Sequence, residues 1–426
     1  MKHLRLKGLL AAAGMAVLAA PVQSQDVTPG AVLTTYADIA HATYSDSLAT
    51  ARTLSMAVDR LVSQPSEGSL RAARAAWLSA RAPYQQTEAY RFGNPIVDDW
   101  EGKVNAWPLD EGLIDYVDAA YGTENDQNPF YAVNVIANPS LTAGGKTIEA
   151  TKIDAALIRS LHEIDEVEAN VATGYHAIEF LLWGQDLNGT QPGAGNRPWT
   201  DYAKGEACTG GKCARRGAYL KAATALLVSD LEEMAANWAE GGAARAALAA
   251  NGEMAGLGMI LTGLGSLSYG ELAGERMKLG LMLHDPEEEH DCFSDNTHNS
   301  HYYDAVGIMN VFEGRYVRID GTVMKGASIE ALAAAKDAAL AKEARADIQA
   351  TVAAMAKIKQ AADRRRMSYD QMIAEGNERG NKLVQDAIDG LVKQTRSIER
   401  LVAALGLDRI EFEGSDSLDN PTAVFQ

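Results

Sequence analysis

The stretch Gly174-Tyr175-His176-Ala177-Ile178-Glu179-Phe180-Leu181-Leu182-Trp183-Gly184 is apolar except for one histidine and one glutamate. A segment this apolar belongs in an interior. On a helix, positions i and i+3 share a face, so His176 and Glu179 can point at one target. Burying two ionisable groups among such neighbours is costly unless each finds a partner. A metal ion satisfies both at once. The structural alternative is a core histidine hydrogen-bonded to its own i+3 glutamate.

The spacing is not that of the zinc peptidases. In HExxH, two histidines sit at i and i+4, and a glutamate follows the first as general base. Here Ala177 holds the place of that glutamate and Phe180 the place of the second histidine. The inverted form, HxxEH, also fails at Phe180. One helix therefore supplies at most two ligands, and the others must come from elsewhere.

The rest of the chain reads as mostly helical. Alanine is abundant, aromatic residues make up 7%, and alternating β-branched runs are few. Helices are expected over 32–62, 69–91 (with Pro83 inside), 161–183, 215–238, 253–283, 328–361 and 368–405, with a short one over 110–117. Many glycines within 253–283 suggest close helix packing or a bend. The last twenty residues read as a polar tail. A Gly-rich segment over 184–213 separates two groups of helices. The pattern is all-α, two helical-bundle domains packed together, 26–205 and 206–426, and a weak echo between the halves suggests duplication.

The N-terminus reads as a signal peptide over 1–24. Lys2, Arg5 and Lys7 precede an apolar stretch too short to span a bilayer, and Val22 and Ser24 suit cleavage before Gln25. No later segment reads as a membrane helix. An exported protein, periplasmic or at the cell surface, is expected. The formal charge is −18, or −21 once those three basic residues leave, which argues against nucleic acid as a partner. Cys208 and Cys213 flank a short loop and suit a disulfide in an oxidising compartment; Cys292 is left over as a buried thiol or a ligand.

Three further clusters can carry chemistry. Glu88 sits between Tyr84 and Arg91, as a metal ligand oriented by Arg91 or Arg81, or as one half of a structural salt bridge with an arginine at i+3. Asp110 and Glu111 follow Trp107-Pro108, where acidic residues also serve as ordinary first-turn partners of a short helix. The run from His284 to Tyr303 holds His290, Asp295 and His298, with half of the chain's eight histidines. Mixed carboxylate and imidazole suit iron, zinc or manganese, whereas oxygen alone suits calcium. A solvated acidic loop with helix caps is the alternative.

These segments together resemble the imelysin family. Gly174-x-His176-x-x-Glu179 with Phe180 to Gly184 looks like its GxHxxE signature. Trp107-Pro108-Leu109-Asp110-Glu111 with Ile114-Asp115-Tyr116, and Glu289 to His298, resemble two other family blocks. The resemblance runs over about residues 30 to 410, nearest to the iron-regulated, insulin-cleaving-protease-like subgroup. It implies an all-α duplicated fold, export, a role in iron acquisition and a site at the domain interface containing His176 and Glu179. It also implies membership in a group classed with metallopeptidases; a hydrolytic zinc site needs about three protein ligands, an open water position and a general base.

The leading expectation is a protein of iron acquisition that binds a metal, iron before zinc, through His176, Glu179 and Glu88. Its partners would be iron or an iron-carrying ligand and cell-envelope transport components. Two alternatives remain: a zinc peptidase in which a carboxylate such as Glu111 activates water, and a component of iron or haem uptake that acts without stable metal.

Overall fold

The computed structural model describes residues 27–425, so the expected leader and its cleavage point lie outside the described residues. The fold is all-α. Its helices are α1 Pro29–Ser63, α2 Glu67–Gln85, α3 Pro95–Asn105, α4 Ala155–Leu161, α5 Gly174–Trp183, α6 Cys213–Trp238, α7 Ala243–Ala249, α8 Glu253–Ser266, α9 Leu279–Leu283, α10 Thr297–Glu313, α11 Ile329–Ala334, α12 Ala338–Asp363, α13 Tyr369–Ile373, α14 Glu378–Ala404 and α15 Asp416–Asp419. Two short antiparallel hairpins, Ser140–Ala143 with Lys146–Glu149 and Arg315–Val317 with Val323–Lys325, were not expected.

α1 packs on α2 and α6, while α12 packs on α14 and α10; α2 meets α10 between these groups. α6, which follows the expected boundary at 205/206, lies on α1 and α5. The Cys208–Cys213 disulfide closes the loop that leads into it. No helix among the described residues is long and apolar enough to cross a membrane.

α5 is enclosed by α2, α3 and α6, and every residue from Gly174 to Trp183 is buried. Its start depends on Gly174, whose φ is +82° and where a Cβ would lie 2.4 Å from the Val104 carbonyl oxygen. Both features require glycine. The helix expected over 161–183, with a bend at Gly174, is therefore corrected to two separate helices. The chain breaks after α4, Glu163, Asp165 and Glu166 take positive φ, and the Asn170 amide donates to the Ile164 carbonyl.

Other boundaries differ for local reasons. α2 ends at Gln85, with Pro83 in its last turn, and Glu88–Tyr90 forms a separate turn. The expected helix at 110–117 shrinks to one turn, Glu111–Leu113. Asp337 accepts from the Ala339 and Leu340 amides and so starts α12 afresh after α11. α13 and α14 are likewise separate, with Asn377 capping the second.

The helix over 253–283 is continuous, but Leu267–Lys278 is wound as a π-helix between α8 and α9. Its glycines make room for the C-terminal segment. A Cβ on Gly265, Gly270 or Gly274 would come within 2.3 Å of Phe412, 2.7 Å of the Glu413 carbonyl and 2.2 Å of Ser415 respectively. The expected free polar tail is instead packed into this groove.

Candidate metal centre

His176 and Glu179 lie on the same face of α5, and the His176 Nδ1 is 3.1 Å from Glu179 Oε2. The other Glu179 oxygen accepts from the Ser294 backbone N–H at 2.9 Å. The hydrogen-bonded pair foreseen as the structural alternative is thus present. It occupies only one nitrogen of the ring: Nε2 is buried without a hydrogen-bond partner.

The segment before α10 brings two more groups. His290 packs edge-on against His176 with ring centroids 4.7 Å apart, and against Trp107 at 5.7 Å. Neither nitrogen of His290 has a partner. Asp291 Oδ1 lies 3.9 Å from His176 Nδ1. Ligand atoms of His176, His290 and Asp291 all fall within 4.8 Å of one another, and all three residues are buried.

Asp291 is held by a dense set of donors. Arg81 on α2 reaches Oδ1 through Nη2 at 2.7 Å and Oδ2 through Nε at 3.4 Å. Asn296 donates to Oδ2 at 2.8 Å, and the Ser300 hydroxyl donates to the same oxygen. Arg81 also donates to Asn105 at 2.7 Å and lies over the rings of Trp77, Tyr84 and Tyr175. A guanidinium buried against three aromatic faces and one carboxylate has little freedom to move.

Protonation follows from these contacts. Burial, reinforced by the Arg81 charge, lowers the His176 pKa to about 3. Burial also drives His290 well below its ordinary range, followed by the charge of Arg276. Both imidazoles are therefore neutral at physiological pH. Burial raises Glu179, and the Asp291 charge adds to this. Burial opposes ionisation of Asp291, but Arg81 and the surrounding hydrogen bonds hold it below the usual carboxylate range.

The other candidates lie apart from this centre. Glu88 is paired with Arg276 at 2.7 Å, in a buried network that includes Glu271, Asp304 and, through Arg91, Glu101. Glu88 is not in the His176 group; it forms a structural salt bridge, but with Arg276 and not with the arginine at i+3. The Tyr84 hydroxyl is buried without a partner beside Tyr175. Asp110, hydrogen-bonded by Asn128, and Glu111, hydrogen-bonded by Gln185, line a cleft of about 440 Å³ with Trp107, Tyr121 and Glu287. His298 contacts Asp363 at 3.3 Å. Asp295 faces Asp186 and Asp370 instead.

The model of the imelysin family, peptidase M75, matches residues 40–398. The chain belongs to the imelysin family. A solved structure of the "putative iron-regulated protein A precursor" from Parabacteroides distasonis ATCC 8503 is similar at 16% identity with a TM-score of 0.59, covering 89% of this chain and 97% of that one. At that identity the likeness concerns the fold. No curated protein matches the chain. Within this imelysin, sequence reasoning missed Asp291 and the part played by Arg81. Asp291 stands beside His290 in a segment already singled out, but its pairing with a residue 210 positions earlier has no local signal.

Proposed function

We propose that this imelysin is an exported protein of iron acquisition that binds iron between two helical bundles, through His176, His290 and Asp291. The carrying observation is the set of buried ring nitrogens without partners: Nε2 of His176 and both nitrogens of His290. A buried neutral imidazole left unpaired costs about 1–3 kcal/mol, and a metal ion relieves that cost. Two imidazoles and one carboxylate suit a ferrous ion, with zinc as competitor.

Glu179 then acts through His176. Accepting the hydrogen bond of Nδ1–H on Oε2, it fixes the tautomer whose Nε2 lone pair is free and orients the ring. His290 and Asp291 take the place that Glu88 held in the sequence reading. The iron-regulated likeness, the leader expected from the sequence and the Cys208–Cys213 disulfide support an iron role outside the cytoplasm. Hydrolysis is less well supported, because Glu111, the carboxylate expected to activate water, is hydrogen-bonded by Gln185 and is not in the His176 group.

The test is metal analysis of the purified exported form. Wild type is expected to retain stoichiometric iron after reconstitution, and His176→Ala and His290→Ala to lose it. Equal metal in all three would overturn the reading. Digestion of a peptide library, abolished by His176→Ala, would instead establish the peptidase.

A further inference from the structure

A second group of acidic side chains gathers by the segment that carries His290. Asp186 comes from the stretch after α5, Asp295 from just before α10 and Asp370 from the first turn of α13. One carboxylate oxygen from each lies within 4.8 Å of the others. That is no more than twice a calcium–oxygen bond of about 2.4 Å.

An independent observation points into the same place. Glu289 is only 1% exposed, and neither of its carboxylate oxygens has a hydrogen-bond partner of proper geometry. It lines a small pocket with Asp186 and Asp370. Asp370 is 2% exposed, and one of its oxygens is also unpartnered, as is one of Asp295. Among the described residues, none of these four carboxylates has a lysine, arginine or histidine within ion-pair distance. Burial and the charges of Asp370 and Asp186 raise the Asp295 pKa to about 8. Four carboxyl groups gathered without a counter-cation resist ionising together, and a hard cation removes that cost.

We propose that Asp186, Glu289, Asp295 and Asp370 form an oxygen-only site for a hard divalent cation of the calcium type. The donor set has no nitrogen or sulfur, so it discriminates against the metals suited to His176 and His290. The cation ties together three segments that are distant in sequence. Through Glu289 it also fixes the backbone that carries His290 and Asp291. None of its ligands belongs to the iron site, so the two sites stand or fall separately.

The experiment titrates calcium into the full exported chain after chelator treatment, following heat of binding and thermal midpoint. One calcium is expected to bind in the range of about 10⁻⁴–10⁻³ M typical of extracellular modules, raising the midpoint by several degrees. Asp370→Asn and Asp186→Asn are expected to fold with calcium-free midpoints at or above wild type, because the cost of ionising together is relieved, and to lose the calcium shift. His176→Ala is expected to keep it. Absence of calcium binding in wild type would overturn the proposal, as would a full shift in both Asn variants.

Discussion

Two buried ionic clusters lie side by side and differ in what is left over. Around Arg276, the carboxylates Glu88, Glu271 and Asp304 converge on one guanidinium, and Arg91 adds pairs with Glu101 and Glu271. Each carboxylate meets a guanidinium, and what is left over is carboxylate oxygen: Glu101 Oε1 and Asp304 Oδ1 have no hydrogen-bond partner. Around His176, Asp291 is equally well held by Arg81, Asn296 and Ser300, yet three imidazole nitrogens remain without a partner. The difference is that the first cluster already holds two guanidinium cations among its carboxylates, whereas the second keeps neutral imidazole nitrogens free to bind a metal ion.

The largest effect that would test this contrast comes from Arg276→Met. It strands several buried carboxylates and is expected to cost about 3–5 kcal/mol of stability, read by denaturant unfolding. If Arg276 were instead part of a binding site, metal affinity would fall with little loss of stability.

Glu179→Gln sharpens the other side. The amide preserves size and one accepted hydrogen bond but puts a donor in place of the other oxygen, facing His176 Nδ1 or the Ser294 N–H. Metal affinity is expected to fall about 10–100-fold while folding is retained, as measured by competition with a chelator. An unchanged affinity would mean that Glu179 serves only the fold.

The smallest effect concerns acid. His301 is buried against Tyr369 with both ring nitrogens unpartnered, and burial lowers its pKa to about 3. In the unfolded chain it titrates near its ordinary value of about 6.5. Between these pH values the unfolded state binds the extra proton, so stability contributed by neutral His301 is lost as pH falls, by about 1.4 kcal/mol per pH unit. His301→Gln is expected to flatten the pH dependence of unfolding by one proton between about pH 4 and 6. An unchanged slope would place His301 in contact with water or an ion.

Much of this was legible in the chain itself. Helix positions followed from apolar periodicity, Gly174 and Gly184 bounded the signature segment, and His176 with Glu179 on one face followed from the helical repeat. Boundaries failed where short polar side chains such as Asn170 and Asp337 compete locally for backbone groups. The glycine stripe of 253–283 was visible as an anomaly, but its occupant, the segment around Phe412 and Ser415, was not.

The sequence alone thus determined an all-α fold, a buried His–Glu pair and the clusters from which further ligands could come, because these depend on composition and on contacts within a few residues. Only the tertiary structure decided among those clusters. It assigned Glu88 to Arg276, brought His290 and Asp291 to His176, and set Asp295 beside Asp186 and Asp370. Such pairings depend on which helices pack together, and a single sequence carries no local record of contacts between residues one or two hundred positions apart.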